Sequence, residues 1–331
     1  MELVRPGLWS VPTVFPDNPL RYVLSYAMQY AGGIALVDTG WSSEASWEGL
    51  VSGLGSVGWS IGDVKAILVT HAHGDHYGLV RRIRQHSDAW VALHPADLEM
   101  QARVGTPEEY CREEAEWFRR RGGVTGDFEL LVGDADTFED MKIAPDRLLS
   151  DGDRPLGPGT SLISVWTPGH TPGHTCFYDS GTEVLLTGDH LLPRITPNIS
   201  TSPFLPTEGL SDYLASLEKL LTLRADEVLP AHEYRFRGLR QRVHDVITHH
   251  QERLAEVLRA LHDTPGLSTA EVSGLLHWSR PWEQMRGVQR RFAMGEAHAH
   301  LLYLERRGYL RNTGTDIDSW FAVRDDEPVL I

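Results

Sequence analysis

The chain has 331 residues, enough for a large hydrophobic core and two domains. Its 46 acidic side chains against 31 basic ones give a formal charge of −15, which argues against nucleic acid as a partner because such binding draws on Lys and Arg at phosphates. No apolar run reaches the roughly 18 residues of a membrane span. The start carries no basic, apolar leader, and Cys111 and Cys176 make no disulfide framework, so a cytoplasmic location is expected.

Read from the start, the first 40 residues are β structure. Tyr22, Leu24, Tyr26, Met28 and Tyr30 alternate, Ala31-Gly32-Gly33 turns, and Ile34 to Val37 runs into Asp38-Thr39-Gly40. Asp before Gly is also a common turn pair, so Asp38 alone is ambiguous. A helix over 43–53 follows, then a strand over 64–70, a helix over 77–85 and a strand over 89–93. Between the strand at 64–70 and the next helix lies His71-Ala-His73-Gly-Asp75-His76. At a strand end His71 and His73 project to one side, because alternate residues share a face. Asp75 and His76 sit one turn further on and reach a neighbouring position. One segment thus begins two adjacent metal sites, which points to hydrolysis.

Residues 95–145 read as an insertion. Thr106-Pro107-Glu108-Glu109 is a capping box with proline at the first helical position, and Tyr110, Glu114, Trp117 and Phe118 share a face. Such an insertion makes a candidate lid or pocket wall, with ordinary aromatic packing as the alternative. Short apolar runs over 162–166, 184–187 and 227–229 then each lead into a polar motif: Thr167-Pro-Gly-His170-Thr-Pro-Gly-His174, Thr187-Gly188-Asp189-His190 and Leu229-Pro230-Ala231-His232. Groups at the ends of several strands can converge on one rim of a sheet sandwich. Only one of His170 and His174 can serve the first site, and His190 is either near a substrate or a loop cap.

After 240 the pattern becomes helical. Val243, Ile247, Leu254, Leu258 and Leu261 mark a long amphipathic helix closed by Pro265-Gly266, and Ser268 to Glu271 forms a second capping box. A further helix from Val288 closes near Gly308, and 309–323 reads as a hairpin. Helix, helix, helix and hairpin resembles a winged-helix module, read here as a structural appendage. Most other histidines (His86, His244, His249, His250, His262, His277, His298 and His300) are read as surface or satisfied core residues.

The order HxHxDH, GH, GD and a lone histidine resembles the metallo-β-lactamase superfamily. The resemblance implies an α/β protein, a four-layer αββα sandwich over 1–240, with a small winged-helix-like domain over 241–331. It implies that His71, His73 and His174 hold one metal, that Asp75, His76 and His232 hold another, and that Asp189 bridges them. Asp38 and His170 would then orient these groups from behind. The chain departs from the flavodiiron branch, which has Glu at the position of His73, and from the lactamases proper, which carry Cys at that of Asp189. Two divalent ions are implied; nitrogen and oxygen donors suit Zn²⁺ best and admit Fe or Mn.

The implied reaction is attack of metal-bound hydroxide on the carbonyl of an ester, thioester or lactone, glyoxalase II-like in chemistry, with Asp75 and Asp189 as catalytic residues. The C-terminal pattern differs from the glutathione-binding region of glyoxalase II itself. The substrate is expected to be a small molecule, and His190, Arg194, Asn198 and Tyr213 are candidates to contact it. A lactamase-like endoribonuclease and a mononuclear-iron persulfide dioxygenase are the alternative enzymes, and a winged-helix binding protein the non-enzymatic one. No residue pattern sets an oligomeric state.

Overall fold

The computed structural model describes residues 1–16, 18–124 and 142–324. The part of the expected insertion at 125–141 lies outside them. In chain order the strands are β1 (Glu2–Arg5), β2 (Leu8–Val14), β3 (Tyr22–Tyr30), β4 (Gly33–Val37), β5 (Val64–Leu68), β6 (Trp90–Leu93), β7 (Arg147–Leu148), β8 (Leu162–Trp166), β9 (Thr175–Asp179), β10 (Val184–Gly188), β11 (Glu227–Pro230), β12 (Leu310–Asn312) and β13 (Trp320–Ala322). The helices are α1 (Glu44–Gly55), α2 (Gly74–Tyr77), α3 (Val80–Arg84), α4 (Pro95–Arg103), α5 (Pro107–Arg120), α6 (Gly209–Leu220), α7 (Leu239–Asp263), α8 (Thr269–Leu275) and α9 (Val288–Arg306).

Among the described residues, β1 to β7 form one sheet in sequence order, antiparallel as far as β4 and parallel from β4 to β7. The second sheet runs β11-β10-β9-β8, with only β10 and β11 parallel. The architecture is a four-layer αββα sandwich with a C-terminal helical extension. Strand β4 shows why. Ile34 and Leu36 pack with Leu50, Leu54, Val80 and Ile83 of the helices, whereas Ala35 and Val37 pack with Phe177, Leu186 and Leu229 of the other sheet. A strand covered on both faces needs an unbroken apolar run, and Gly33–Val37 supplies one.

The expected helix over 77–85 is two pieces, α2 and α3, broken at Gly78 and Leu79. Thr39 explains the break. Its N–H and hydroxyl both donate to the His76 carbonyl (2.8 and 2.9 Å), and its hydroxyl oxygen accepts from Leu79 N–H, diverting groups a continuous helix would use. Strand β9 has no signal in the sequence pattern because Thr175-Cys-Phe-Tyr-Asp does not alternate; all but Asp179 are buried.

The chain divides into two compact units that are not contiguous in sequence. The first gathers Met1–Arg103, the described residues of 133–197 and Lys219–Arg242. The second gathers the described residues of 104–132, 198–218 and 243–331. Within the second, Trp117, Phe118 and Met294 form an apolar cluster, and Arg291 donates to Glu114 at 2.6 Å in the interior. Its capping boxes at Thr106 and Ser268 are formed, and β12 and β13 pair as an antiparallel hairpin. No helix among the described residues is long and apolar enough to cross a membrane.

Candidate metal centre

The parallel strands β4 and β5 end side by side and start the site. Asp38, just past β4, has φ 59°, and this turn aims its carboxylate across the strand ends. Its Oδ1 accepts from Thr70 N–H, and its Oδ2 accepts from the Thr70 hydroxyl and His76 Nδ1, each at 2.8 Å. Asp38 is therefore no mere turn residue: it fixes the His76 ring so that Nε2 faces the site. Having given its proton to Asp38, the Thr70 oxygen accepts from His71 Nδ1 at 3.0 Å, leaving the His71 Nε2 lone pair outward. His73 is the residue before the first turn of α2, which then delivers Asp75 and His76.

The second sheet supplies the rest. His174 follows a turn from β8 and holds Nδ1 2.9 Å from the Thr167 hydroxyl. Gly188, at the end of β10, has φ +49°, and a Cβ there would come within 2.7 Å of Thr70 Oγ1 and 2.9 Å of His174 Nε2. Glycine is thus required immediately before Asp189. The end of β11 is tied to β3 by Tyr26 hydroxyl to Pro230 O and Leu24 N–H to Ala231 O, both at 2.7 Å, which fixes His232.

These elements converge. His71 Nε2 lies 2.9 Å from His73 Nδ1, which lies 3.1 Å from His170 Nε2. His232 Nε2 is 3.3 Å from Asp75 Oδ2 and 3.2 Å from Asp189 Oδ1, and His76 Nε2 is 3.4 Å from that same Asp189 oxygen. The other Asp189 oxygen is 3.6 Å from His170 Nε2. Three overlapping groups, His71-His73-His170, His71-His76-Asp189 and Asp75-His76-His232, each bring their donor atoms within 4.8 Å of one another. His174 adjoins them, its ring 5.1 Å from that of His71 and its Nε2 3.3 Å from Asp189 N–H.

Electrostatics divide the cluster. Burial drives the His71 and His174 pKa values well below the ordinary 6.5, and burial with the neighbouring His170 brings His73 to about 3. Burial also opposes charge on His76 and His232, but carboxylates outweigh it. Asp75, Asp189 and Asp38 raise His76, and Asp189 with Asp75 raises His232 to about 10. Protons gather where three carboxylates meet two imidazoles, and a divalent cation would displace them. The fit is visible in two enclosed atoms, His76 Nε2 and Asp189 Oδ1, which face each other yet make no hydrogen bond. Nitrogen and oxygen donors at this spacing match a pair of divalent ions.

Of the remaining candidates, His190 is fully buried with its ring 5.7 Å from that of His174. Arg194 is paired with Glu233, its NH2 2.8 Å from Oε1. Asn198 and Tyr213 belong to the second unit, where Tyr213 is fully buried against His250. Sequence reading overlooked Thr70, Glu233, Asp97 and His94. Asp97 is fully buried and accepts from Ala72 N–H, the Thr171 hydroxyl and Gly173 N–H; burial, opposed by these bonds, raises its pKa to about 6. His94 stacks on Trp166 with centroids 5.0 Å apart. Thr70 and Glu233 adjoin the motifs at His71 and His232, whereas Asp97 and His94 meet partners up to 76 positions away that no local pattern announces.

Overlapping histidine and aspartate donor groups at the strand ends of a sandwich define a dinuclear metal-dependent hydrolase acting on a carbonyl substrate. Residues 18–232 match the family model of the metallo-beta-lactamase superfamily, and the chain belongs to that superfamily. It is similar to the crystal structure of a metallo-beta-lactamase family protein from Thermus thermophilus, with 32% identity, TM-score 0.82 and coverage of 97% of this chain and 100% of that one. It is 27% identical over 273 residues to lactamase-like protein adaB of Aspergillus niger, covering 80% of this chain and 68% of that protein. A shorter match, 31% over 105 residues, covers 32% of this chain and 31% of the atrochrysone carboxyl ACP thioesterase of Aspergillus fumigatus.

Proposed function

We propose that His71, His73 and His174 hold one Zn²⁺, that Asp75, His76 and His232 hold a second, and that the site hydrolyses a small acyl thioester, with esters and lactones as poorer substrates. The observation carrying this reading is Asp189, whose Oδ1 faces His76 and His232 while Oδ2 faces His170. One oxygen meets the second ligand group and the other opens on the 167–174 loop that carries His174, as a bridging ligand requires. Zinc is favoured by the all-imidazole and carboxylate donor set.

Two divalent ions in such a site supply hydroxide at neutral pH and polarise the carbonyl oxygen. The residues do the positioning. Asp38 keeps the His76 ring in the tautomer that offers Nε2. Asp75, with 13% of its side chain exposed, has Oδ2 turned to His232, and its other oxygen would take the proton released by the attacking water and pass it to the departing thiolate. The thioester preference rests on the similarity to a carboxyl ACP thioesterase. The α8, α9 and hairpin order supports reading the C-terminal part as a winged-helix-like appendage.

The test combines elemental analysis with a panel of acyl thioesters, lactones and esters. The expected result is two zincs per chain and thioester turnover that is lost in His71→Ala. Absence of turnover above the His71→Ala background on every acyl substrate would sink the reading.

A further inference from the structure

His71, His73, His170 and His174 come together from two loops, 69–73 and 167–174, and one buried carboxylate joins those loops. Asp97 stands in the first turn of α4, in a part of the chain that supplies no metal donor. Its Oδ2 accepts from Ala72 N–H at 2.8 Å, between His71 and His73, and from the Thr171 hydroxyl at 3.0 Å. Its Oδ1 accepts from Gly173 N–H at 2.6 Å, between His170 and His174. Space is as restrictive as bonding: a Cβ at Gly173 would lie 2.6 Å from Asp97 N and 2.7 Å from Oδ1. Donors of the second ion have other supports, namely Asp38 on His76 and β3 on the segment before His232.

Resting on the ligand reading above, we propose that Asp97 is the positioning residue of the first metal site: it clamps the two histidine loops together and sets the affinity of that site alone. An imidazole cluster with no carboxylate behind its rings depends on backbone placement for its geometry, and Asp97 provides it. Outer groups that orient ligands typically change metal affinity about 10- to 100-fold when removed. Asp97→Asn replaces one acceptor oxygen with an NH₂ donor. In either orientation the amide then meets a backbone N–H with a donor, at Ala72 or at Gly173.

The experiment is equilibrium dialysis of the full chain against buffered free Zn²⁺, read as zinc per chain, with Co²⁺ absorption reporting each site. The wild type is expected to take up two ions. Asp97→Asn is expected to keep one with unchanged affinity and to bind the other about 10- to 100-fold more weakly. Gly173→Ala keeps the carboxylate but displaces it, guards against a folding failure of Asp97→Asn, and is expected to show the same one-site loss. Thr171→Val removes one hydrogen bond of three and is expected to weaken that site only severalfold. Wild-type affinities at both sites in Asp97→Asn, or equal weakening of both, would overturn the clamp while leaving the ligand reading intact. A wild-type chain that takes up fewer than two ions would overturn the ligand reading and the clamp together.

Discussion

The chain buries two histidine clusters, one in each compact unit, and the carboxylate-facing members of the first behave opposite to the second. In the first unit, His76 and His232 face Asp75 and Asp189, and their pKa values rise. In the second unit, His250 Nδ1 lies 3.1 Å from His300 Nε2, His300 Nδ1 lies 2.8 Å from the Glu296 carbonyl, and His298 is 2.8 Å from the Thr201 hydroxyl. Burial, then neighbouring histidines or arginines such as Arg253, Arg121 and Arg291, pushes His250 and His298 well down; His300 falls to about 3 mainly through burial. Burial acts alike on both clusters. Carboxylates within 4 Å make one a cation trap, and their replacement by arginine and neutral partners makes the other a polar seam of the core.

The sharpest way to break this contrast is Asp189→Ala. Loss of this carboxylate is expected to lower thioester kcat/KM by at least about 10- to 100-fold and to deplete bound metal, whereas His298→Asn should leave both near wild type. Comparable losses in the two variants would erase the distinction. Chelation comes next. A ligand present at 100 times its dissociation constant stabilises by about 2.7 kcal/mol, so stripping metal should raise amide exchange around 69–76, 188–190 and 230–232. Exchange around 250 and 298–300 should stay unchanged, and a uniform rise would mean the ions stabilise both units alike.

Acid should act on the other side of the comparison. His250, His298 and His300 have folded pKa values below the ordinary 6.5, so the unfolded chain binds protons that the folded unit refuses. Their contribution is complete above about pH 6.5 and is lost as pH falls towards the folded value, about 3 for His300. Amide protection of α7 and α9 at pH 7 and pH 5 checks this in Glu296→Gln, which removes the opposing titration of a carboxyl that burial pushes up to about 7; equal protection at both would contradict it. The smallest effect belongs to Arg194→Ala. With the guanidinium occupied by Glu233 and the Arg194 side chain 70% exposed, turnover should stay within about threefold of wild type.

Much of this was legible in the sequence, for reasons that mark where legibility stops. The run His71 to His76 and the motifs over 167–174, 187–190 and 229–232 each place their histidines or aspartate beside a strand, so local pattern and chemistry coincide. Strands β3 and β4 were legible from alternation and from a continuous apolar run, and the sandwich from the family resemblance that the motifs carry. Asp97 was illegible because its meaning lies in two loops, 25 and 76 positions away. The break between α2 and α3 was hidden for the same reason, since Thr39, which causes it, belongs to an earlier turn. The second unit assembles from three separated stretches, a long-range arrangement that composition along the chain does not register.

Asp38 carries a consequence for how this chain could change. A non-glycine residue at φ 59° is held in a conformation that a search for greater thermal stability would select against, since glycine or asparagine adopts it more readily. Asp38→Gly would relax the turn and could melt later, yet it would release the His76 ring and free Thr70 from its donor role. Position 38 is therefore where laboratory evolution for heat resistance and for turnover should part ways, and where revertants under combined selection should accumulate.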